Sequence, residues 1–321
     1  MVGRKINGTS VLVTGSAGFI GSHLCEELVA THKCTVVGID NLFLGRLDNL
    51  EGIRDCEDFV QIIGDARNQD LIRTTCKAHK VDIVFHLATQ PINHSFVSPN
   101  ECADVSISSM LGLLEAQRCG YFGKLVNFST SEVYGDLHER KCFDNPDLLR
   151  PLSVYAAGKA SADLLLRSYV NTFNNDAYIV RPFNNYGPRQ AWKPDLAGLI
   201  PNTIVRILSG KKPIIRGTGE QIREFVFVRD CVQEAIQSVD IYEPNQIITV
   251  GSSTRRSVKE VVRKICRLMN YEGSVVYEKA RIADAMTHRS ATSDSDQGCN
   301  TSGTAFEDGL METIEYYKTV S

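Results

Sequence analysis

The chain has 321 residues, 43% of them hydrophobic and 23% charged, with a formal net charge of −3. That composition suits one large soluble domain or two coupled ones, and the weak net charge speaks against a nucleic-acid or membrane partner. No run approaches transmembrane length, the first residues lack a leader's long apolar stretch, and ten scattered cysteines form no CxxC pair, so a cytoplasmic chain with reduced thiols and no metal site is expected.

The first element is the apolar run Val11-Leu-Val13, followed by Gly15, Gly18 and Gly21 and then an amphipathic segment from His23 to Ala30. A second run, Thr35-Val-Val-Gly-Ile-Asp40, ends in an acid, and a polar loop leads on to a short helix. Phe59 to Asp65 predicts a third strand that again ends in an acid, Asp70 to His79 a helix, and Val81 to Ala88 a fourth strand. A long helix starts at Ser98-Pro-Asn, Lys124 to Ser129 forms a fifth strand, and Leu152 to Asn171 forms another long helix. Tyr178-Ile-Val-Arg-Pro makes a sixth strand. Strand and helix alternate throughout, so the expected class is α/β with a doubly wound parallel sheet of Rossmann type.

From Asn184 onward prolines punctuate shorter elements, which predicts a smaller C-terminal α/β lobe. The expected boundaries are 1–183 for the nucleotide-binding domain and 184–321 for the lobe. The runs Phe225-Val-Phe-Val and Ile247-Ile-Thr-Val, within 225–252, are expected to return to the large sheet. Ser257 to Met269 and Phe306 to Tyr317 are helical, and no repeat or low-complexity tract appears.

Chemistry enters at the glycine turn. Gly15, Gly18 and Gly21 lie between a strand and a helix, where a backbone free of side chains can approach a pyrophosphate at the helix N-terminus. Asp40 ends the next strand, where a carboxylate meets the adenosine ribose hydroxyls. That acid would repel a ribose phosphate and so favours NAD over NADP. The end of the fourth strand, with Thr89 and Gln90, opens onto the same crevice.

Ser129-Thr-Ser-Glu-Val-Tyr-Gly135 follows the fifth strand and gathers hydroxyl and carboxyl groups at the sheet's C-terminal edge. A turn or helix cap is the less favoured reading of the same residues. Tyr155 and Lys159 are four residues apart, which puts phenol and ammonium on one helix face. A neighbouring ammonium makes a phenol a usable base near neutral pH, and Lys159 is also placed to bond a nicotinamide ribose.

Thr14 to Gly21, Gly64-Asp65, His86-Leu-Ala88, Ser129 to Gly135 and Tyr155…Lys159 together resemble an extended short-chain dehydrogenase/reductase. In the second lobe, Arg181-Pro-Phe-Asn-Asn-Tyr-Gly-Pro188, Gly219 to Asp230 and Asp308-Gly-Leu resemble the nucleotide-sugar epimerases and dehydratases of that group. The resemblance implies a tightly held NAD, reduced and reoxidised in one turnover, bound by Gly15, Gly18, Phe19, Ile20, Gly21, Asp40, Asn41, Asp65, Ala66, Leu87, Ala88, Thr89, Tyr155 and Lys159. It implies Tyr155 as the base at the sugar 4-hydroxyl and Thr130 as a hydrogen-bond partner of that oxygen.

Thr130-Ser-Glu132 is similar to the motif of GDP-mannose 4,6-dehydratases and UDP-glucuronate decarboxylases, whereas simple 4-epimerases need no such acid. In a dehydratase Glu132 takes the C5 proton and Ser131 or Glu132 assists the departure of water; in a decarboxylase the two position the ring. The lobe motifs look more like dTDP-glucose 4,6-dehydratases, which carry an aspartate where this chain has Ser131. A non-catalytic NAD-binding protein is a further alternative. By the same resemblance Arg223 and Arg289 meet the diphosphate, and Asn184 and Gln90 the phosphate or sugar. Leu199 and Ile200 wall the base pocket, and Arg216 stacks on the base where relatives carry an aromatic. Ser106 stands where relatives carry an asparagine that supports the active-site strand. The two long helices resemble the pair through which relatives form a homodimer.

Overall fold

The computed structural model describes residues 6–136, 147–193, 196–252, 255–280, 286 and 303–320. In chain order its strands and helices begin β1 (Ser10–Thr14), α1 (Phe19–Ala30), β2 (Thr35–Asp40), β3 (Phe59–Ile63), α2 (Gln69–His79) and β4 (Ile83–His86). There follow α3 (Pro99–Arg118), β5 (Lys124–Phe128), α4 (Val154–Phe173), β6 (Asp176–Pro182), β7 (Asn184–Tyr186) and α5 (Leu199–Leu208). Next come β8 (Ile214–Arg216), β9 (Ile222–Phe227), α6 (Val228–Ile241) and β10 (Ile247–Val250). The chain closes with β11 (Arg255–Ser257), α7 (Val258–Leu268), β12 (Val276–Glu278) and α8 (Phe306–Val320). Among the described residues no helix is long and apolar enough to cross a membrane.

Internal contacts group the chain into two units. The first comprises Met1–Thr130, Val154–Arg181 and Val232–Ile248; the second comprises Ser131–Ser153, Pro182–Cys231 and Thr249–Ser321. The chain passes between the units after Thr130, Ser153, Arg181, Cys231 and Ile248, so a single cut at residue 183 takes only the third of these crossings, and the expected return over 225–252 corresponds to Val232–Ile248.

The first unit is built on a seven-stranded sheet of order β10-β6-β5-β4-β1-β2-β3. Its paired strands from β3 to β6 run parallel. The order β3-β2-β1-β4-β5-β6 is that of a doubly wound dinucleotide fold, and it reverses direction between β1 and β4. In sheets of this order such a reversal leaves a crevice outside the carboxyl ends of the strands. Apolar strand residues on one face drive this sheet under two helices: Leu12, Val37, Ile39, Val84, Leu125 and Ile179 are buried with Met110, Leu113 and Leu166 of α3 and α4. Each such side chain removed from water is worth about 1.5–3 kcal/mol.

The second unit holds a three-stranded sheet, β11-β9-β7, and a two-stranded sheet, β12-β8. Of the run Phe225-Val-Phe-Val, expected in the large sheet, Phe225 to Phe227 lie in β9, which pairs in parallel with β7 and antiparallel with β11, and Val228 begins α6. The outer position of the large sheet is filled by β10 instead, as expected for Ile247-Ile-Thr-Val. Helix α7 begins with a reciprocal cap, Ser257 accepting from Glu260 N and Glu260 accepting from Ser257 N. It buries Val261, Val262 and Ile265 on one face.

Candidate functional site

The crevice of the first unit is shaped by how closely two backbones meet. Gly15 adopts φ +76, and a Cβ there would stand 2.9 Å from Ala88 N and Leu87 C. Gly21 is as constrained, since its Cβ would stand 2.1 Å from Gly15 O. Leu87 N donates to Thr14 O at 3.0 Å, and Ala88 N to Thr14 Oγ1 at 3.3 Å. The glycine turn and the end of β4 are thereby brought together, as the sequence predicts. Gly18 caps α1 without a side chain, while Phe19 and Ile20 form its partly exposed first turn. A cradle that any side chain would fill, facing the start of a helix, fits the pyrophosphate of a dinucleotide.

Asp40 ends β2 beside this turn. Its Oδ2 accepts from Ala17 N at 3.0 Å and its Oδ1 from Leu42 N at 2.7 Å. Burial raises its pKa, and those backbone donors oppose the rise. The loop beyond is tied to the turn by Arg46 N and Asn49 Nδ2, both donating to Ala17 O at 3.0 and 2.8 Å. Asp65, after β3, is held by Arg67, whose Nε and Nη2 donate at 3.0 and 2.7 Å. Those bonds hold its carboxyl below the usual range. Asn41 Nδ2 approaches the same carboxylate at 3.5 Å, and Ala66 is buried. Sequence reasoning found the two acids and missed Arg67 and Asn49, whose roles depend on partners they meet only in the fold.

On the other side of β1, Thr89 Oγ1 donates to Gln90 O at 3.3 Å. Gln90 is 3% exposed, and its Oε1 is buried without a hydrogen-bond partner. A buried acceptor beside the crevice awaits a donor. Beneath it, His86 joins three elements. Its Nδ1 lies 2.7 Å from Thr14 Oγ1 and its Nε2 lies 3.1 Å from Ser109 Oγ, which itself donates to Val105 O. Ser109 therefore accepts from Nε2–H, and Nδ1 accepts from Thr14, whose oxygen is left to accept from Ala88 N. Burial, then the charge of Lys159, pushes His86 down to about 3, so the ring is neutral.

Helix α4 delivers Tyr155 and Lys159 one turn apart. Tyr155 is partly exposed, whereas Lys159 is 3% exposed and donates to Phe128 O at 2.7 Å. Thr130, itself buried, lies two residues beyond that carbonyl. Burial pulls Lys159 down to about 8, opposed by the charge of Asp163. The ammonium thus anchors to the strand end that carries Thr130. Gly158 lets α3 and α4 approach here, its Cβ position being 3.2 Å from Ala103 Cα. Ser106 donates to Cys102 O of its own helix at 3.3 Å, so its hydroxyl is spent on α3.

In the second unit Ser131 and Glu132 open a 3-10 turn, Ser131–Tyr134, in which Ser131 is buried and Glu132 partly exposed. Arg150 N donates to Val133 O at 2.9 Å and steadies that turn. Asn184 Nδ2 donates to Glu224 O at 3.3 Å across β7 and β9. Arg223 is buried on β9, with Nη1 donating to Ile222 O at 2.9 Å. Leu199 and Ile200 begin α5, Ile200 buried and Leu199 partly exposed. Arg216 lies opposite Glu278 in the β8–β12 register, with Nε 3.5 Å from its carboxylate. Its guanidinium therefore has an anionic neighbour that the sequence did not reveal. Arg289 lies outside the described residues.

Residues 11–251 match the family described as the NAD dependent epimerase/dehydratase family. The chain is 32% identical over 273 residues to a dTDP-glucose 4,6-dehydratase of Neisseria gonorrhoeae, covering 81% of this chain and 78% of that one. It superposes on a dTDP-glucose 4,6-dehydratase of Streptomyces venezuelae, solved with NAD bound, with a TM-score of 0.88 at 27% identity and 97% coverage of both chains. A UDP-N-acetylglucosamine 4-epimerase of Methanobrevibacter ruminantium gives a TM-score of 0.86 at 30% identity, covering 98% of this chain and 100% of that one. NAD is the cofactor of the family so matched, and a neighbour of similar fold is solved with it bound. The chain belongs to the NAD dependent epimerase/dehydratase family, within the extended short-chain dehydrogenases/reductases.

Proposed function

We propose that the protein is a nucleotide-sugar 4,6-dehydratase. The observation that carries the reading is the anchoring of Lys159 to Phe128 O, which fixes the helix bearing Tyr155 against the strand end that runs on through Thr130 into Ser131 and Glu132. The glycine turn of Gly15, Gly18 and Gly21, with Asp40 and Lys159, would hold NAD, whose chemistry there would be to accept hydride from sugar C4 and give it back at C6. Tyr155 removes the proton of the 4-hydroxyl, Thr130 bonds to the same oxygen, and the charge of Lys159 favours the phenolate that receives the proton. The 4-ketone so formed acidifies C5, whose proton passes to Glu132. The C6 hydroxyl leaves as water with the proton that Glu132 took from C5, passed directly or through Ser131. C5 is reprotonated at the end by the equivalent of the proton that Tyr155 took from the 4-hydroxyl, so both residues return to their starting state. The net loss is one water.

Arg223, with Arg289, binds the diphosphate in this reading, and Asn184 and Gln90 bind phosphate or sugar. A 4-epimerase is the second reading, favoured by the likeness to the Methanobrevibacter enzyme. The resemblance of the helices Ser98–Arg118 and Leu152–Asn171 to a family dimer contact also leads us to infer a homodimer. Leu164 and Phe173 of α4 are 54% and 48% exposed, which leaves apolar surface for a second copy.

The test is incubation of the full chain and NAD with UDP-, dTDP-, GDP- and CDP-hexoses and with UDP-glucuronate, followed by mass spectrometry. Loss of one water from a hexose is the expected result. Loss of carbon dioxide from UDP-glucuronate, or an isomer of unchanged mass, would replace the dehydratase reading by decarboxylase or epimerase. No conversion of any sugar would remove it.

A further inference from the structure

The end of β5 is gripped by charges that the chemistry above does not employ. Asp163 is fully buried on α4. Its Oδ1 accepts from Asn127 Nδ2 at 3.0 Å, and its Oδ2 accepts from Ser129 Oγ at 2.7 Å and from Arg181 Nε and Nη2 at 3.0 and 2.9 Å. Arg181, on β6, is 1% exposed. Four donors converging on two oxygens suit an ionised carboxylate, which can only accept. One helical turn earlier Lys159 holds Phe128 O. The pair on α4 therefore grips three consecutive residues, Asn127, Phe128 and Ser129, directly ahead of Thr130. A buried ion pair is weak evidence for stability, since apolar residues of similar volume often serve as well. Its place beneath Thr130 suggests a different use.

We propose that Asp163 is a positioning residue: its carboxylate supplies the counter-charge that keeps the Lys159 ammonium at Phe128 O, and its hydrogen bonds fix the strand end that presents Thr130. The proposal rests on the reading of Lys159, Tyr155 and Thr130 given above. The groups facing Lys159 from other elements are His86 on β4, Cys102 on α3 and, through Asp163, Arg181 on β6. Burial keeps His86 neutral and pushes the Cys102 thiol up to about 11, so neither carries charge near neutrality. Among these groups Asp163 alone supplies an anion. Burial raises its pKa, while the charge of Arg181 and the bond from Ser129 oppose the rise.

Asp163→Asn removes the charge with little else. Asn127 Oδ1 is buried without a partner, so a half-turn of that amide lets it accept from the new amide group. Ser129 and Arg181 still donate to the remaining oxygen. The readout is an NMR titration of lysine side-chain nitrogens in isotope-labelled, NAD-loaded full chain, with the Lys159 signal assigned by its loss in Lys159→Met. The native Lys159 is expected to titrate near its value of about 8. In Asp163→Asn the midpoint is expected to fall by about one pH unit or more, and the alkaline limb of turnover to move with it. An unmoved midpoint in the folded variant would overturn the proposal, because a merely structural Asp163 would lower activity without shifting Lys159. Arg181→Gln removes the cation that shares Asp163 and should move the midpoint upward; no movement or a downward one also overturns it. The titration needs no substrate, so a shifted midpoint without turnover counts against the functional reading alone.

Discussion

Gly15→Ala tests the crevice at its tightest point. An added Cβ would stand 2.9 Å from Ala88 N and Leu87 C, both backbone atoms. These two atoms form one peptide group, whose Ala88 N donates to Thr14 Oγ1 while the preceding Leu87 N donates to Thr14 O, so no flexible side chain can swing away. The left-handed conformation costs a non-glycine residue about 1–2 kcal/mol. Overpacking a close backbone contact adds about 1–3 kcal/mol, which gives about 2–5 kcal/mol together. Gly120 is the control, with φ +78 and nothing within 4 Å of an added Cβ. Gly120→Ala therefore bears the conformational cost alone, about 1–2 kcal/mol. Urea unfolding of the two variants reads the steric part as their difference. Calorimetric NAD binding should weaken by about tenfold or more in Gly15→Ala, the equivalent of about 1.4 kcal/mol, and stay unchanged in Gly120→Ala. Equal stability loss and equal NAD affinity in the two variants would refute the view that the glycine turn and the end of β4 meet at Gly15.

Glu132→Gln separates the reaction classes: in the dehydratase reading reduced cofactor should form from a nucleotide sugar while water loss falls by about 10²–10⁴-fold. Unchanged turnover by mass spectrometry would point to the epimerase. His86 carries a pH signature. Its pKa is lowered from 6.5 to about 3 in the folded chain, so the unfolded chain binds more protons between those values. Its contribution to stability is complete above the unfolded value and is lost as pH falls through that window, by at most about 1.4 kcal/mol per pH unit. His86→Gln, which can still donate and accept, should flatten the acid limb of a urea-unfolding series; an unchanged limb would sink the assignment. Leu164→Asp should convert a dimer to single chains in analytical ultracentrifugation, and a native protein already of single-chain mass would remove the homodimer.

What was legible in the sequence divides along physical lines. A glycine turn declares itself, because positive φ at Gly15 and the approach of Gly21 to Gly15 O exclude other residues locally. Strand-terminal acids such as Asp40 and Asp65 are equally visible, since strand and acid are adjacent in the chain. The apolar run Phe225-Val-Phe-Val identified a strand but not its sheet, for burial alone does not choose between β10's place and β9's. Harder still were side chains whose meaning lies in a distant partner. His86 needs Thr14 and Ser109, and Asp163 needs Asn127, Ser129 and Arg181. Even so, Tyr155, Lys159 and Asp163 recur at four-residue spacing along one helix, so the third member lay on a face already recognised. An acid one turn beyond a lysine on a buried helix face cannot be solvated as a surface pair would be. Once Lys159 is assigned a charged role beneath the sheet edge, low dielectric requires an anion close to it, and helical geometry leaves Asp163 as the nearest carboxylate along α4 able to supply one.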